Sequence, residues 1–225
     1  MKLIKFAAAA LLALSSLSAS AGLITVVNNG MTVNPGDFKP DEPVSLVNDF
    51  TNNGYVDATS YTIAGSLKAN EKLKVTYYYL GQEASWTNLL SVPGDDEAAL
   101  SVFNKKTITT YVEKDALFDF VFSTPSVGYS ASNAQGSTVA GSRIYSFAVA
   151  LDASFTGQGP GAKAAHAGSY DAILFLDDTG PSKKDDDNHD DLVIGIKVTQ
   201  VPEPTTLLLM SMGLLGLFGA RRLKA

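Results

Sequence analysis

The chain has 225 residues, 45% hydrophobic and 18% charged, with 19 glycines and 9 prolines, a composition of globular rather than disordered chains. Its 17 basic residues against 23 acidic ones give a formal net charge of -6, which disfavours a nucleic-acid partner and attraction to anionic lipid. The absence of cysteine excludes disulfide frameworks, thiolate metal sites and cysteine nucleophiles, and two histidines, His166 and His189, leave little for a histidine-built metal centre.

Taken in chain order, residues 1–21 begin with Lys2 and Lys5, continue through an apolar run at 6–14 and end in Ala19, Ser20 and Ala21. A basic start, a short apolar stretch and an A-x-A ending are the features a signal peptidase reads, so this segment is expected to be a signal peptide and Gly22 the first mature residue. Residues 22–200 then hold 12 basic against 22 acidic residues, a charge of -10 on the exported part.

Within that part, strand-like runs alternate with turn residues. Strands are expected over 23–27, 44–50, 55–67, 72–80, 107–112, 116–123, 143–151, 170–176 and 192–199. In 72–80, Leu73, Val75, Tyr77 and Tyr79 share one face, and Lys72, Lys74, Thr76 and Tyr78 the other, the period of two of a half-buried strand. Asp95 as a cap, Asp96 and Glu97 behind it and Leu100 three before Phe103 predict one short helix over 95–104. The stretches 123–142 and 156–169, rich in Gly, Ser, Ala and Pro, are expected to be loops. Many strands with no βαβ rhythm predict an all-β fold, a two-sheet β-sandwich of jelly-roll-like or immunoglobulin-like kind.

The densest chemical signal lies between the last two apolar strands, where residues 177–191 hold seven carboxylates: Asp177, Asp178, Asp185, Asp186, Asp187, Asp190 and Asp191. Such charges repel one another unless screened, and a hard cation with oxygen ligands is one answer, which makes calcium the candidate metal, with Asn188 as a further oxygen donor. The spacing from Asp186 lacks the glycine and glutamate of an EF-hand, so the site would be irregular. A solvated acidic loop, offset by Lys183 and Lys184 and held by Asx turns, accounts for the same residues.

Upstream, Glu83 sits in a turn from which it can reach the acidic loop or bond its local backbone. Trp86 and Tyr78 are the plausible exposed aromatic pair for stacking on a sugar ring, since Tyr77 and Tyr79 belong to the apolar face. Catalysis is not expected: no G-x-S-x-G elbow, P-loop or dinucleotide fingerprint is present. A secreted hydrolase would need two converging carboxylates or a histidine beside a serine.

At the far end, Val201-Pro202-Glu203-Pro204 precedes an apolar run over 207–220, closed by Arg221, Arg222 and Lys224. As a helix, residues 205–220 would span about 24 Å at 1.5 Å per residue, short of a hydrocarbon core of about 30 Å, so a marginal transmembrane helix with its basic end in the cytoplasm is expected. The proline-glutamate-proline motif, the short apolar helix and the Arg221-Arg222 ending together resemble the PEP-CTERM sorting signal of Gram-negative bacteria. That resemblance implies that a membrane-embedded exosortase recognises Pro202, Glu203 and Pro204, removes the tail after transient inner-membrane anchoring, and delivers the chain to the cell surface or exterior, where such proteins accompany exopolysaccharide and biofilm matrix. The Asp-rich turn closing on Asp190 and Asp191 resembles one recurring just ahead of this signal in such proteins, which adds to the calcium reading. The residues from Tyr79 to Asn88 resemble a second such segment. The chain is thus expected as 1–21 signal peptide, 22–200 extracellular domain and 201–225 sorting signal. Its expected role is a structural or binding one at the surface, possible carbohydrate binding to matrix polysaccharide being the first alternative and hydrolysis the second.

Overall fold

The computed structural model describes residues 22–27, 31–33, 53–63, 65–84, 86–92, 99–100, 107–126, 128–135, 146–178, 189–202 and 210–214. The expected signal peptide at 1–21 and the strand expected over 44–50 lie outside them. In chain order the strands are β1 (Ile24–Val27), β2 (Met31–Val33), β3 (Val56–Asp57), β4 (Tyr61–Ile63), β5 (Ser66–Ala69), β6 (Leu73–Gly81) and β7 (Leu89–Ser91). They continue as β8 (Ala99–Leu100), β9 (Thr107–Val112), β10 (Val121–Thr124), β11 (Tyr129–Ser132), β12 (Ser146–Phe155), β13 (Gly168–Asp177) and β14 (Leu192–Gln200).

The all-β expectation holds, and the described strands form three antiparallel sheets. The largest runs β2-β4-β12-β13-β14-β6-β9, with β3 also on β12; a second runs β11-β10-β7-β8; β1 and β5 make a pair. β13 and β14 lie at the middle of the large sheet with apolar side chains on both faces, which is why they read in sequence as unbroken runs, Ala172 to Leu176 and Leu192 to Ile194. β9, at the edge, alternates instead: Ile108 and Val112 are buried while Thr107, Thr109 and Tyr111 face water.

One face of the large sheet carries the main core. Leu73, Val75, Tyr77 and Tyr79 of β6, Phe147 and Val149 of β12, Leu174 of β13 and Ile194 and Ile196 of β14 meet Leu67 of β5, Leu90 of β7 and Phe122 of β10, so all three sheets contribute. Tyr77, Phe120, Phe122 and Phe147 form its aromatic centre, with edge-on contacts such as Phe120 to Phe147 at 5.4 Å between centroids. Burial pushes the Tyr77 phenol far above its ordinary value. Asn133, fully buried, substitutes for a strand: its amide donates to Leu67 O and Phe118 O and accepts from Leu67 N, each at 2.8 Å, tying β5 to the segment before β10.

The opposite face of the large sheet holds a second apolar cluster around Tyr61, Ile63, Ala150, Phe155, Tyr170, Ile173 and Phe175. Strict alternation would put Ala153 and Phe155 with Phe147 and Val149, yet they belong to this other face. The change occurs at Asp152, whose φ of 49° lies in the left-handed region, and Tyr170 across the ladder changes face with it.

Several expectations need correction: the single strand expected over 55–67 is split into β3, β4 and β5, the last of them paired with β1, and of the strand expected over 116–123 only residues 121–123 lie in β10. Ala99 and Leu100 do not form the helix expected over 95–104; they pair with Ser91 and Leu90 as β8, because pairing with a neighbouring strand overrides a weak local helical preference. The stretch expected as loop over 123–142 contains β11, which pairs fully with β10. Of the tail beyond residue 202, a helical turn at 210–214 is described; among the described residues no helix is long and apolar enough to cross a membrane.

Candidate functional site

The two described ends of the acidic stretch, residues 177–178 and 189–191, form a buried junction. β13 carries Asp177 to its last position, Asp178 follows, and the chain returns through His189, Asp190 and Asp191 into β14. His189 makes that return with a φ of 54°. Asp177, Asp178, His189 and Asp190 are only 2, 6, 2 and 1% exposed. Ladder geometry draws the two ends together: Asp191 N donates to Leu176 O at 3.1 Å, and Asp178 N donates to the Asp191 carboxylate at 2.7 Å. His189 Nδ1 lies 3.6 Å from Asp177 Oδ2.

The junction is held from outside the stretch by Asn88, which is fully buried. Its amide donates to Asp178 Oδ2 and to Asp191 O, and its own oxygen accepts from Thr124 Oγ1 of β10. Glu83 reaches the junction through its backbone, its N–H donating to Asp190 O at 3.2 Å, while its side chain is exposed. Removal from water is the main cause that pushes the Asp191 carboxyl up to about 9; the charge of Asp178 and, more weakly, those of Asp177 and Asp190 add to it, against the Asp178 N–H bond.

Asp177, Asp178, Asp190 and Asp191 are therefore brought together as the sequence suggests. Asp185, Asp186, Asp187 and Asn188 lie outside the described residues. Among the described residues no group of three acidic or histidine side chains is arranged to hold a metal ion, so calcium here would need oxygen donors from residues 179–188. Asn88 and Thr124 were not singled out in sequence; they lie 90 and 36 residues from the partners they bond.

The two aromatic candidates separate. Trp86 is 37% exposed in the turn after β6, where its carbonyl accepts from Gln82 Nε2. Tyr78 is half-buried on β6, edge-on to His166 at 5.3 Å and to Tyr170 at 5.7 Å, with Lys197 Nζ 5.6 Å from its ring. Tyr77 and Tyr79 are core residues, as their face of the strand implies.

These features define an all-β chain whose last core strand runs straight into a short C-terminal tail: Val201 N still bonds Lys72 O beside β6, and Pro202 is already exposed. Residues 200–222 match the family model of the PEP-CTERM protein-sorting motif. The chain accordingly carries a C-terminal sorting signal of an exported protein, the kind that exosortase processes. Within the motif, Glu203, Pro204, Arg221 and Arg222 lie outside the described residues. No curated protein and no solved structure matches the chain.

Proposed function

We propose that the exported chain is a non-catalytic structural or binding component of the cell surface or extracellular matrix, and that calcium ties down its acidic junction. In this reading the three sheets act as a sandwich, the two small ones forming one layer against the large one. The tail serves as a transient inner-membrane anchor that exosortase removes. The sorting motif at 200–222 supports the destination. The calcium part is supported by four carboxylates converging where β13 hands over to β14, three of them almost wholly buried. Like charges at that separation from water raise the energy of the fold, and a divalent cation offsets it while satisfying several oxygens at once. Asp177, Asp178, Asp190 and Asp191 would hold the ion, completed by Asp185 to Asn188.

Thermal melts of the full-length chain in excess EGTA, millimolar calcium and millimolar magnesium test the calcium part. Calcium at a hundredfold over its Kd adds about 2.7 kcal/mol, several degrees for a chain of this size. Absence of a shift returns the junction to a metal-free acidic cluster, and a shift equal in calcium and magnesium overturns the assignment to calcium. Export is tested separately: surface fractions should contain a chain that starts at Gly22 and lacks Arg221 and Arg222, and a full-length inner-membrane species as sole product overturns the sorting reading.

A further inference from the structure

A second acidic site, built differently, lies in the large sheet where Asp152 breaks the alternation of β12. The left-handed residue Asp152 opens a cavity of about 320 Å³ between β3, β12, β13 and β14, lined by Asp57, Asp152, Asp171, Ser154, Ser169 and Lys197 among others. Sheet register assembles it. Ser154 pairs with Asp57 on one side and with Ser169 on the other, and Asp152 stands opposite Asp171 between the pairs Leu151–Ala172 and Ala153–Tyr170. Asp171 also accepts from Val198 N at 2.7 Å, where the β13–β14 ladder has ended, so its carboxylate is fixed at the rim. Gly195 is required beneath it: a Cβ there would collide with the Tyr170 ring. Lys197 Nζ is drawn over that ring, 4.8 Å from its centroid.

We infer that this cavity binds an amino-sugar unit of a polysaccharide, with a free ammonium seated among Asp57, Asp152 and Asp171 and sugar hydroxyls on Ser154 and Ser169. Three aspartates against one lysine leave a formal charge of -2 on the lining, which rejects anionic sugars and attracts a cation. An ammonium brings its own hydrogen-bond donors to these carboxylates. The volume stands at the small end of small-molecule sites, room for a sugar residue rather than a folded partner. From Lys197 the same row continues through Thr76 on β6 to Thr109 on β9, with Tyr111, 62% exposed, on the next row opposite Lys74. A polymer has a polar track to follow there; a lone basic side chain of a protein does not need one.

The inference rests on the extracellular placement proposed above and not on calcium at the junction. Isothermal titration of the full-length chain in mild detergent, at fixed salt, with glucosamine hexamer, N-acetylglucosamine hexamer and hexalysine tests it. Glucosamine hexamer should bind at least tenfold more tightly than either of the others. Asp152→Asn, which keeps both shape and tolerance of the left-handed backbone, should weaken it at least tenfold. Ser154→Ala should weaken it less, as a second variant should the first fail to fold. Equal binding of the acetylated hexamer, hexalysine binding as tight, unchanged affinity in Asp152→Asn, or loss in Asp191→Asn alone would each overturn the assignment. Normal surface delivery of a chain that binds none of them would overturn this inference and leave export standing.

Discussion

The two acidic sites of this chain have similar residues and opposite physics. At the junction, Asp177, Asp178 and Asp190 are almost wholly buried and the Asp191 carboxyl is pushed up to about 9; at the cavity, Asp57 and Asp152 stand in water and Asp171 is half-buried. Burial, more than the number of carboxylates, sets what each can do. At the junction Asp191 holds its proton well above the ordinary carboxylate range, whereas the cavity keeps a usable field for a ligand arriving from solvent.

The sharpest way to break that contrast is pH. A carboxyl whose folded value lies at about 9 against an ordinary 3.8 stabilises the fold fully below about pH 4, and that contribution declines as pH rises toward 9, because the unfolded chain ionises first. In excess EGTA the melting temperature should therefore fall from pH 5 to pH 9, and Asp191→Asn should flatten the decline; an equally steep profile in the variant would place the titration elsewhere. Asn88→Ala comes next. It removes the bonds that the Asn88 amide makes to buried Asp178 and the Thr124 hydroxyl, and should cost about 3 kcal/mol, roughly 6–12 °C in a melt. Gly195→Ala should cost about 2 kcal/mol by forcing Tyr170 off the sheet, and should also weaken any ligand of the cavity. Asp152→Asn should be the mildest, within about 0.5 kcal/mol in a denaturant titration, since its side chain is exposed. A cost comparable to Asn88→Ala would erase the distinction between the sites.

The sequence carried the strands wherever burial imposes a pattern. β9 is found at the residues expected, 107–112, and β14 begins at Leu192 as expected, because an edge strand alternates and a central one is uniformly apolar. β2, β7 and β11, of three or four residues each, have too few positions to show a period, and β8 exists only through Leu90 and Ser91. The acidic junction was legible because its aspartates are neighbours in the chain. Asn88, which braces it, was not, since nothing local to residue 88 reports a partner 90 residues away. The cavity was hidden for the same reason: Asp57, Asp152, Asp171 and Lys197 are isolated in the sequence, and only the register of the sheet brings them round one cavity.

β14 lies between β13 and β6 and is the link through which the β12–β13 half of the large sheet reaches the β6–β9 half. It is also the strand that runs into the sorting motif, so it is made after every other described strand. A chain made only as far as β13 therefore lacks the strand that joins β13 to β6, and the large sheet cannot close before residue 200 is made. Closure is a late, long-range event, and the pairing of β14 with β6 spans more than a hundred residues of sequence, the kind of contact that forms slowly. The large sheet is thus complete only in a chain made as far as the segment that exosortase reads.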